Sequence, residues 1–480
     1  MKKKSLLKFC LFLFSLISFD TLNAQSSCNC IANLDTTIKK TEVNYVGYPD
    51  MIARNQEVQY KKMVARLRAS AKNESDPRRC FSILKEYVVF FNDKHYDLEY
   101  TIADSTMFKY NFIDESRYRK EFVSKKREPI EGIWISPDSS LKLAVYKVDP
   151  KTYQAVVLES RDQKIKPGLI YYTFSKTGKG LVFDRFDWMT PEFPVRQRGN
   201  LLYIWNFEVL AKVFPGTLTE SEKYNFGTWR NYAYGLDCRK LDENNVLLTI
   251  GSFNRDNMIK DIIKKNDSLI RSSRHLIVDL RGNGGGNSGW SYLLPYFYTN
   301  TIQQGDTYLR LSPLNNAANL PSFKSMYENP KPDPRWEKSY TAEYREKFKE
   351  AFEQIPQSKQ TFYTIPSLDI YADSVLKTPE KVALIFDDLG GSSTEYFFFI
   401  SKQSTKVKRY GERTLGMMDY MGASTDSPLP FKDYYLMIPD RKATWTDTAP
   451  TNITGFIPEN DLRHLPRESW IDFIKKDLGK

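Results

Sequence analysis

Hydrophobic positions change texture three times along this chain. Between residues 33 and 91 they recur at helical spacing, most clearly where Phe81, Leu84, Tyr87, Val88 and Phe91 share one face. Asp76 and Pro77 stand before that face as an N-cap and a proline at the first helical position. The helix is expected to end at Asn92 and Asp93, with His95 following at once in FFNDKHYDL. Beyond the polar break SKKREP at 124–129, short apolar runs at 141–148, 153–158, 169–174 and 201–204 alternate with Asp, Gly, Lys and Pro and predict strands.

After Asn225 strand-like and helix-like segments alternate, the pattern of an α/β domain. Residues 246–250 and 276–280 predict strands. Between them 256–270 predicts an amphipathic helix carrying Ile259, Ile262, Ile263 and Ile270, and 290–298 predicts a further helix. The run 382–386 is too short for an independent helix and predicts a buried strand. It is broken by Asp387, Asp388, Gly390 and Gly391 before a buried helix at 396–400. Residues 313–367 are polar, carry several prolines and a charged helical stretch at 343–353, and are expected to form an insertion or lid.

Length adds that 480 residues hold two or three domains. The reading is a signal peptide at 1–24, a helical N-terminal region at 25–125 carrying His95, a small β-rich module at 126–225, and an α/β domain at 226–480 with a polar insertion near 313–367. The signal peptide is expected because Lys2, Lys3 and Lys4 precede the apolar segment 6–19, and Ala24 closes a short polar stretch. Its removal takes four lysines and one aspartate and lowers the net charge from +11 to +8.

That charge is interleaved with acids and no nucleic-acid motif accompanies it, so a solvated basic surface is expected and no nucleic-acid partner. No later run approaches the roughly 18 apolar residues of a membrane span, and no stable membrane anchor is expected. With the signal peptide, the expected localisation is periplasmic or secreted. Cys28, Cys30, Cys80 and Cys238 permit disulfides in three pairings, and the C-x-C pair lacks the partners a zinc site needs. No metal or organic cofactor is implied, and the oligomeric state is open.

Candidate chemistry gathers at two turns. Ser392 lies between the predicted strand and helix, where free backbone N–H groups could hold an oxyanion; with Glu395 it also fits a capping box, needed by any helix starting here. Gly284, Gly286 and Gly289 satisfy G-x-G-x-x-G, but the acid-bearing strand of a dinucleotide fold is not evident. The alternatives are a tight turn or a backbone nest for an oxyanion at Gly284 and Gly285. His95 is one of three histidines and the default general base, or simply a structural residue.

Taken together, HLIVDLRGNGGGNSG and LIFDDLGGSSTEYF resemble the tail-specific, or C-terminal-processing, serine peptidases and their tricorn-like relatives. GERTLG at 411–416 and GFIPEND at 455–461 resemble two further motifs of that family. The resemblance covers roughly 246–461 with a long interruption. It implies a ClpP/crotonase-like α/β catalytic domain, Ser392 as nucleophile, Glu395 as a supporting acid, and an oxyanion hole from backbone N–H groups near Gly284 or Gly285 and at Ser393.

The position of the Ser-Lys branch's lysine is Met417, which cannot take a proton. FFNDKH resembles the D-x-H element of the tricorn-like Ser-His branch and makes His95 the implied base. Glu459 and Asn452 are both candidates for the third member. The function so implied is an exported serine peptidase acting on peptides or proteins; the alternative is a non-catalytic peptide- or ligand-binding protein on the same fold.

Overall fold

The computed structural model describes residues 28–480 except Lys125, Pro191, Asp333 and Ala423. The signal-peptide expectation at 1–24 lies outside the described residues. The chain is mixed α/β, with a helical N-terminal region and three sheets.

A six-stranded sheet runs in the order Asp237–Lys240, Asn245–Thr249, His275–Asp279, Lys381–Phe386, Val407–Gly411, Asn460–Asp461. All neighbours after the first pair are parallel. Parallel strands are covered on both faces, which is why 382–386 reads as an unbroken apolar run. Val382, Leu384 and Phe386 join Ile259, Phe397 and Phe398 on one side. Ala383 and Ile385 join Trp470, Ile474 and Leu478 on the other. The helix Asp256–Ser272 crosses between the first two parallel strands with Ile259, Ile263 and Ile270 buried. Parallel strands send their connections out at the same edge, so the glycine-rich turn after Asp279 and the serine turn after Phe386 emerge side by side. The helix expected at 290–298 is instead a 3-10 turn, Gly289–Leu293, followed by Leu294–Phe297 with a proline in its first turn.

At the N-terminus, Cys30–Asn44, Glu57–Ala71 and Pro77–Val89 are helices. The Asp76 carboxylate accepts from Arg79 N–H and caps the last of them. A disulfide joins Cys30 to Cys80, while Cys28 is buried and free and Cys238 is free and half-buried. Asn92 takes a left-handed conformation that turns the chain out of the helix, and the Asp93 carboxylate accepts from His95 N–H. The strand Asp97–Thr101 follows and pairs antiparallel with Tyr434–Ile438.

This last strand belongs to a twelve-stranded sheet that also holds Gly132–Ile135, Leu141–Lys147, Thr152–Ser160 and the other strands up to Glu208–Phe214. The sheet crosses the boundaries expected at 125 and 225. Residues from all three segments are hydrogen-bonded neighbours in it, because the backbone groups of 97–101, an interior strand, pair on one side with 434–437 and on the other with 188–189.

The segment expected as a polar insertion or lid is folded around its own core. Leu309, Phe323, Phe348, Ala351, Ile355 and Ile365 pack together between the helices Pro313–Glu328 and Ala342–Gln354 and the strands Thr307–Arg310 and Phe362–Ile365. Those strands continue through Arg441–Ala443 to Tyr420–Met421 in a four-stranded sheet. The insertion therefore starts near 307 and is tied to the strand that carries Tyr420.

The Cys30–Cys80 bond closes a separation of 50 residues. Replacing Cys80 by Ser is expected to lower stability by about 2–4 kcal/mol in urea unfolding; a loss under about 1 kcal/mol would mean that packing of the helices alone holds this region.

Candidate active site

Ser392 precedes the helix Ser393–Ser401 with φ 50° and ψ −122°. A capping residue sits in the extended region, so this backbone cannot make the capping box, and the Ser392 hydroxyl makes no cap bond. Glu395 turns inward instead. It is fully buried and accepts from Thr414 Oγ1, from Gly416 N at 2.7 Å and from Met417 N at 2.7 Å. Burial pushes its carboxyl up to about 7, against the pull of those three donors and of Lys94. A non-glycine residue at such dihedrals costs about 1–3 kcal/mol, so the surroundings must enforce it.

They do so from two sides. The Met417 side chain lies over Gly391, where a Cβ would meet its sulfur at 2.6 Å. On the other side Gly285 has φ +98°, and a Cβ there would stand 2.5 Å from Gly391 O and 2.8 Å from Ser392 Cβ. Asn283 ties the two turns together, its Oδ1 accepting from Gly285 N at 2.9 Å and from Thr394 Oγ1 at 2.8 Å. Ser393 Oγ donates to Gly286 O at 2.6 Å. The Gly285 N–H is thereby occupied, which removes it from the oxyanion donors expected from the sequence. Gly284 and Ser393 N–H have no acceptor among the described residues.

His95 and Ser392, 297 positions apart, meet at 3.0 Å between Nε2 and Oγ. The other ring nitrogen, Nδ1, lies 2.8 Å from the carbonyl oxygen of Tyr420. A carbonyl only accepts, so Nδ1 carries the proton and Nε2 is left to accept from the serine hydroxyl. Burial lowers the imidazole pKa, while the Asp93 carboxylate and the Tyr420 carbonyl work in the opposite sense.

Neither residue expected as the third member reaches the ring. Glu459 holds Arg409, through Nε at 2.9 Å and the backbone N at 2.9 Å, at a half-exposed position. Asn452 is buried, but its Oδ1 accepts from Asp419 N at 3.0 Å. Asp419 in turn accepts from Thr451 N at 2.7 Å and Asn452 N at 2.8 Å. This pair fixes the backbone beside Tyr420 without touching His95. The partner of Nδ1 is a main-chain atom, and since every residue has a carbonyl, no residue type could have signalled it.

Tyr420 itself is held by Asp50, which accepts from its hydroxyl at 3.0 Å and from Lys442 Nζ at 2.8 Å. Lys94, also unremarked in the sequence, donates from Nζ to Gly416 O at 2.7 Å and closes the gap between the histidine loop and the turn that supports Ser392. Asp387, Asp388 and Glu412 approach one another closely enough to suggest a cation site, but Arg196, Arg198 and Arg467 already neutralise them.

Residues 245–425 match the model of Peptidase family S41. No curated protein sequence matches the chain. Among solved structures it is similar to mature CPAF, with a TM-score of 0.51 and 12% identity over 94% of this chain and 96% of that one. Mature CPAF complexed with lactacystin gives a TM-score of 0.50 and 12% identity over 94% and 97%. A photosystem II D1 C-terminal processing protease aligns over 95% and 98% at 11% identity, but its TM-score of 0.38 supports no argument. At these identities the likeness is one of fold. The family match over the segment that bears Ser392 indicates a serine-type peptidase, a hydrolase.

Gly285→Ala is expected to destabilise the protein by about 2 kcal/mol or more, because its methyl would meet backbone rather than a yielding side chain and φ is left-handed. Urea unfolding measures it; a change under about 0.5 kcal/mol would show that the two turns separate freely.

Proposed function

We propose that the protein is an exported serine peptidase that hydrolyses peptide bonds through an acyl-enzyme on Ser392, on a ClpP/crotonase-like domain of the Ser-His, tricorn-like type. The observation that carries this reading is the 3.0 Å approach of His95 Nε2 to Ser392 Oγ, with Nδ1 bonded to Tyr420 O. That tautomer is the one a general base requires. The presence of Met417 where the Ser-Lys branch has its lysine favours the histidine as base.

In the reaction Ser392 Oγ attacks the carbonyl carbon of the scissile bond as its proton passes to His95 Nε2. The tetrahedral oxyanion is received by the N–H groups of Gly284 and Ser393. Collapse breaks the C–N bond, and the imidazolium gives its proton to the leaving amine. Water, deprotonated by His95, then hydrolyses the ester and returns the serine. The imidazolium formed in each half is stabilised by the Tyr420 carbonyl dipole and the nearby Asp93 carboxylate rather than by a directly bonded acid.

Export is part of the proposal. The Cys30–Cys80 disulfide supports it, since such bonds persist in oxidising compartments. Among the described residues no helix is long and apolar enough to cross a membrane.

The test is labelling of the purified protein with a fluorophosphonate, which reports an activated serine. Labelling is expected in the parent and is expected to fall by about 10³-fold or more in both Ser392→Ala and His95→Ala. A folded parent that does not label would overturn the reading, and labelling that survives His95→Ala would exclude that base. The lowered pKa of His95 also fixes a pH limb. The base must be neutral to act, so the acidic half-point of kcat/KM is expected below the ordinary histidine value of about 6.5. A half-point above it in a pH–rate profile would contradict the buried environment.

A further inference from the structure

His95 and Ser392 come from distant segments, and the 3.0 Å between them has to be maintained across that junction. One peptide group spans it. The C=O of Gly416 accepts from Lys94 Nζ at 2.7 Å, and the N–H at the other end of the same peptide bond, that of Met417, donates to the Glu395 carboxylate at 2.7 Å. Lys94 is the residue before His95, and Glu395 stands in the first turn of the helix that Ser392 precedes. A cation beside one member of the pair and an anion beside the other are thus joined through a single dipole.

The peptide is not free to turn. Gly416 has φ +79°, and a Cβ there would stand 2.7 Å from Thr451 O and 2.9 Å from Asn452 O. Glu395 also accepts from Gly416 N at 2.7 Å and from Thr414 Oγ1, and Leu415 N donates to Gly390 O at 2.7 Å, two residues before Ser392. The 414–417 turn therefore moves with the serine turn, and Lys94 is its charged link to the histidine loop. Away from water a hydrogen bond at one end of a peptide polarises the other end, so ammonium and carboxylate strengthen each other's bonds to it. Losing either charge weakens both.

The surrounding charges give Lys94 a second effect. Burial and Lys179 disfavour its ammonium, while Glu395, Asp93 and Glu192 favour it. Burial lifts the Glu395 carboxyl to about 7, and Lys94 pulls it back toward ionisation. At His95 burial lowers the imidazole pKa, the Asp93 carboxylate and the Tyr420 carbonyl oppose that, and the Lys94 charge lowers it further.

We propose that Lys94 and Glu395 are a positioning pair for the reaction: coupled through the 416–417 peptide they hold His95 Nε2 against Ser392 Oγ, and Lys94 is required as a charge and not only as a donor. The proposal rests on the peptidase reading and deepens it by naming what sets the geometry and the basicity of the histidine.

The test is the second-order rate of fluorophosphonate labelling, followed across the acidic limb in the full chain and in Lys94→Met, Lys94→Gln and Lys94→Arg, each checked for folding by circular dichroism. Lys94 lines a cavity of about 440 Å³, which gives its replacements room. Gln can still donate to Gly416 O but carries no charge, and Arg keeps both properties. Labelling is expected to slow about tenfold or more in Lys94→Met and Lys94→Gln and to stay within about threefold of the parent in Lys94→Arg. The acidic half-point is expected to rise by about half a unit or more in the two uncharged variants and to hold in Lys94→Arg. The sign follows from the charge: without the ammonium the imidazole takes a proton, and the base is lost, at higher pH, and the Glu395 carboxyl moves in the same direction.

Parent-like labelling of Lys94→Gln would overturn the proposal, and this variant decides it if Lys94→Met does not fold. Slower labelling with an unmoved half-point would also overturn it, because that is the signature of a lysine that only supports the fold, as would Lys94→Arg labelling as slowly as Lys94→Gln. Failure of the parent to label would overturn the peptidase reading instead, so the two failures are read from different proteins.

Discussion

The left-handed backbone at Ser392 is the constraint around which the site is built. It turns a residue that would otherwise cap a helix into one whose hydroxyl faces another segment, and it must be enforced from outside because serine does not adopt it freely. The buried Glu395 carboxylate is the main enforcing group. Its three donors come from the 414–417 turn, so the helix start, the turn and the Met417 side chain over Gly391 form one unit. The glycine-rich loop closes the other side, and at Gly285 only the lack of a Cβ permits the approach.

The histidine side is built differently. His95 arrives on a short turn between a helix and a strand, and the strand is anchored by residues more than 300 positions later. Its orienting partner is a carbonyl on the edge strand of the insertion's sheet, and that strand is pinned by the Tyr420–Asp50–Lys442 network. The folded insertion, the N-terminal helices and the α/β domain thus converge on one imidazole. A neutral carbonyl fixes the tautomer as well as a carboxylate would, but it stabilises an imidazolium less, which leaves the Asp93 charge nearby as the compensating element.

Much of this was legible in the chain. The unbroken apolar run at 382–386 announced a strand buried on both faces, the glycines after Asp279 announced a close approach, and Asp76 with Pro77 announced the start of a helix that the structure caps in that way. The core inside the expected insertion was hard to read because few residues build it: Phe323, Phe348 and Ala351 on its two helices are buried with Leu309, Ile355 and Ile365. The third member was misread because sequence shows side chains, and the atom that bonds Nδ1 belongs to the main chain.

By itself the sequence determined most of the element types, though not the 3-10 turn at Gly289–Leu293, together with the chemistry available at Ser392 and His95 and the reason Met417 could not serve as a base. Those follow from local periodicity, from turn residues and from what each side chain can donate or accept. Only the tertiary structure decided which groups meet. Glu459 went to Arg409, Asn452 to Asp419 and the Gly285 N–H to Asn283, while Tyr420 O reached the histidine. The physical reason is that a hydrogen bond spans about 3 Å whatever the separation along the chain. Long-range strand pairing sets that distance, and no spacing in the sequence records it.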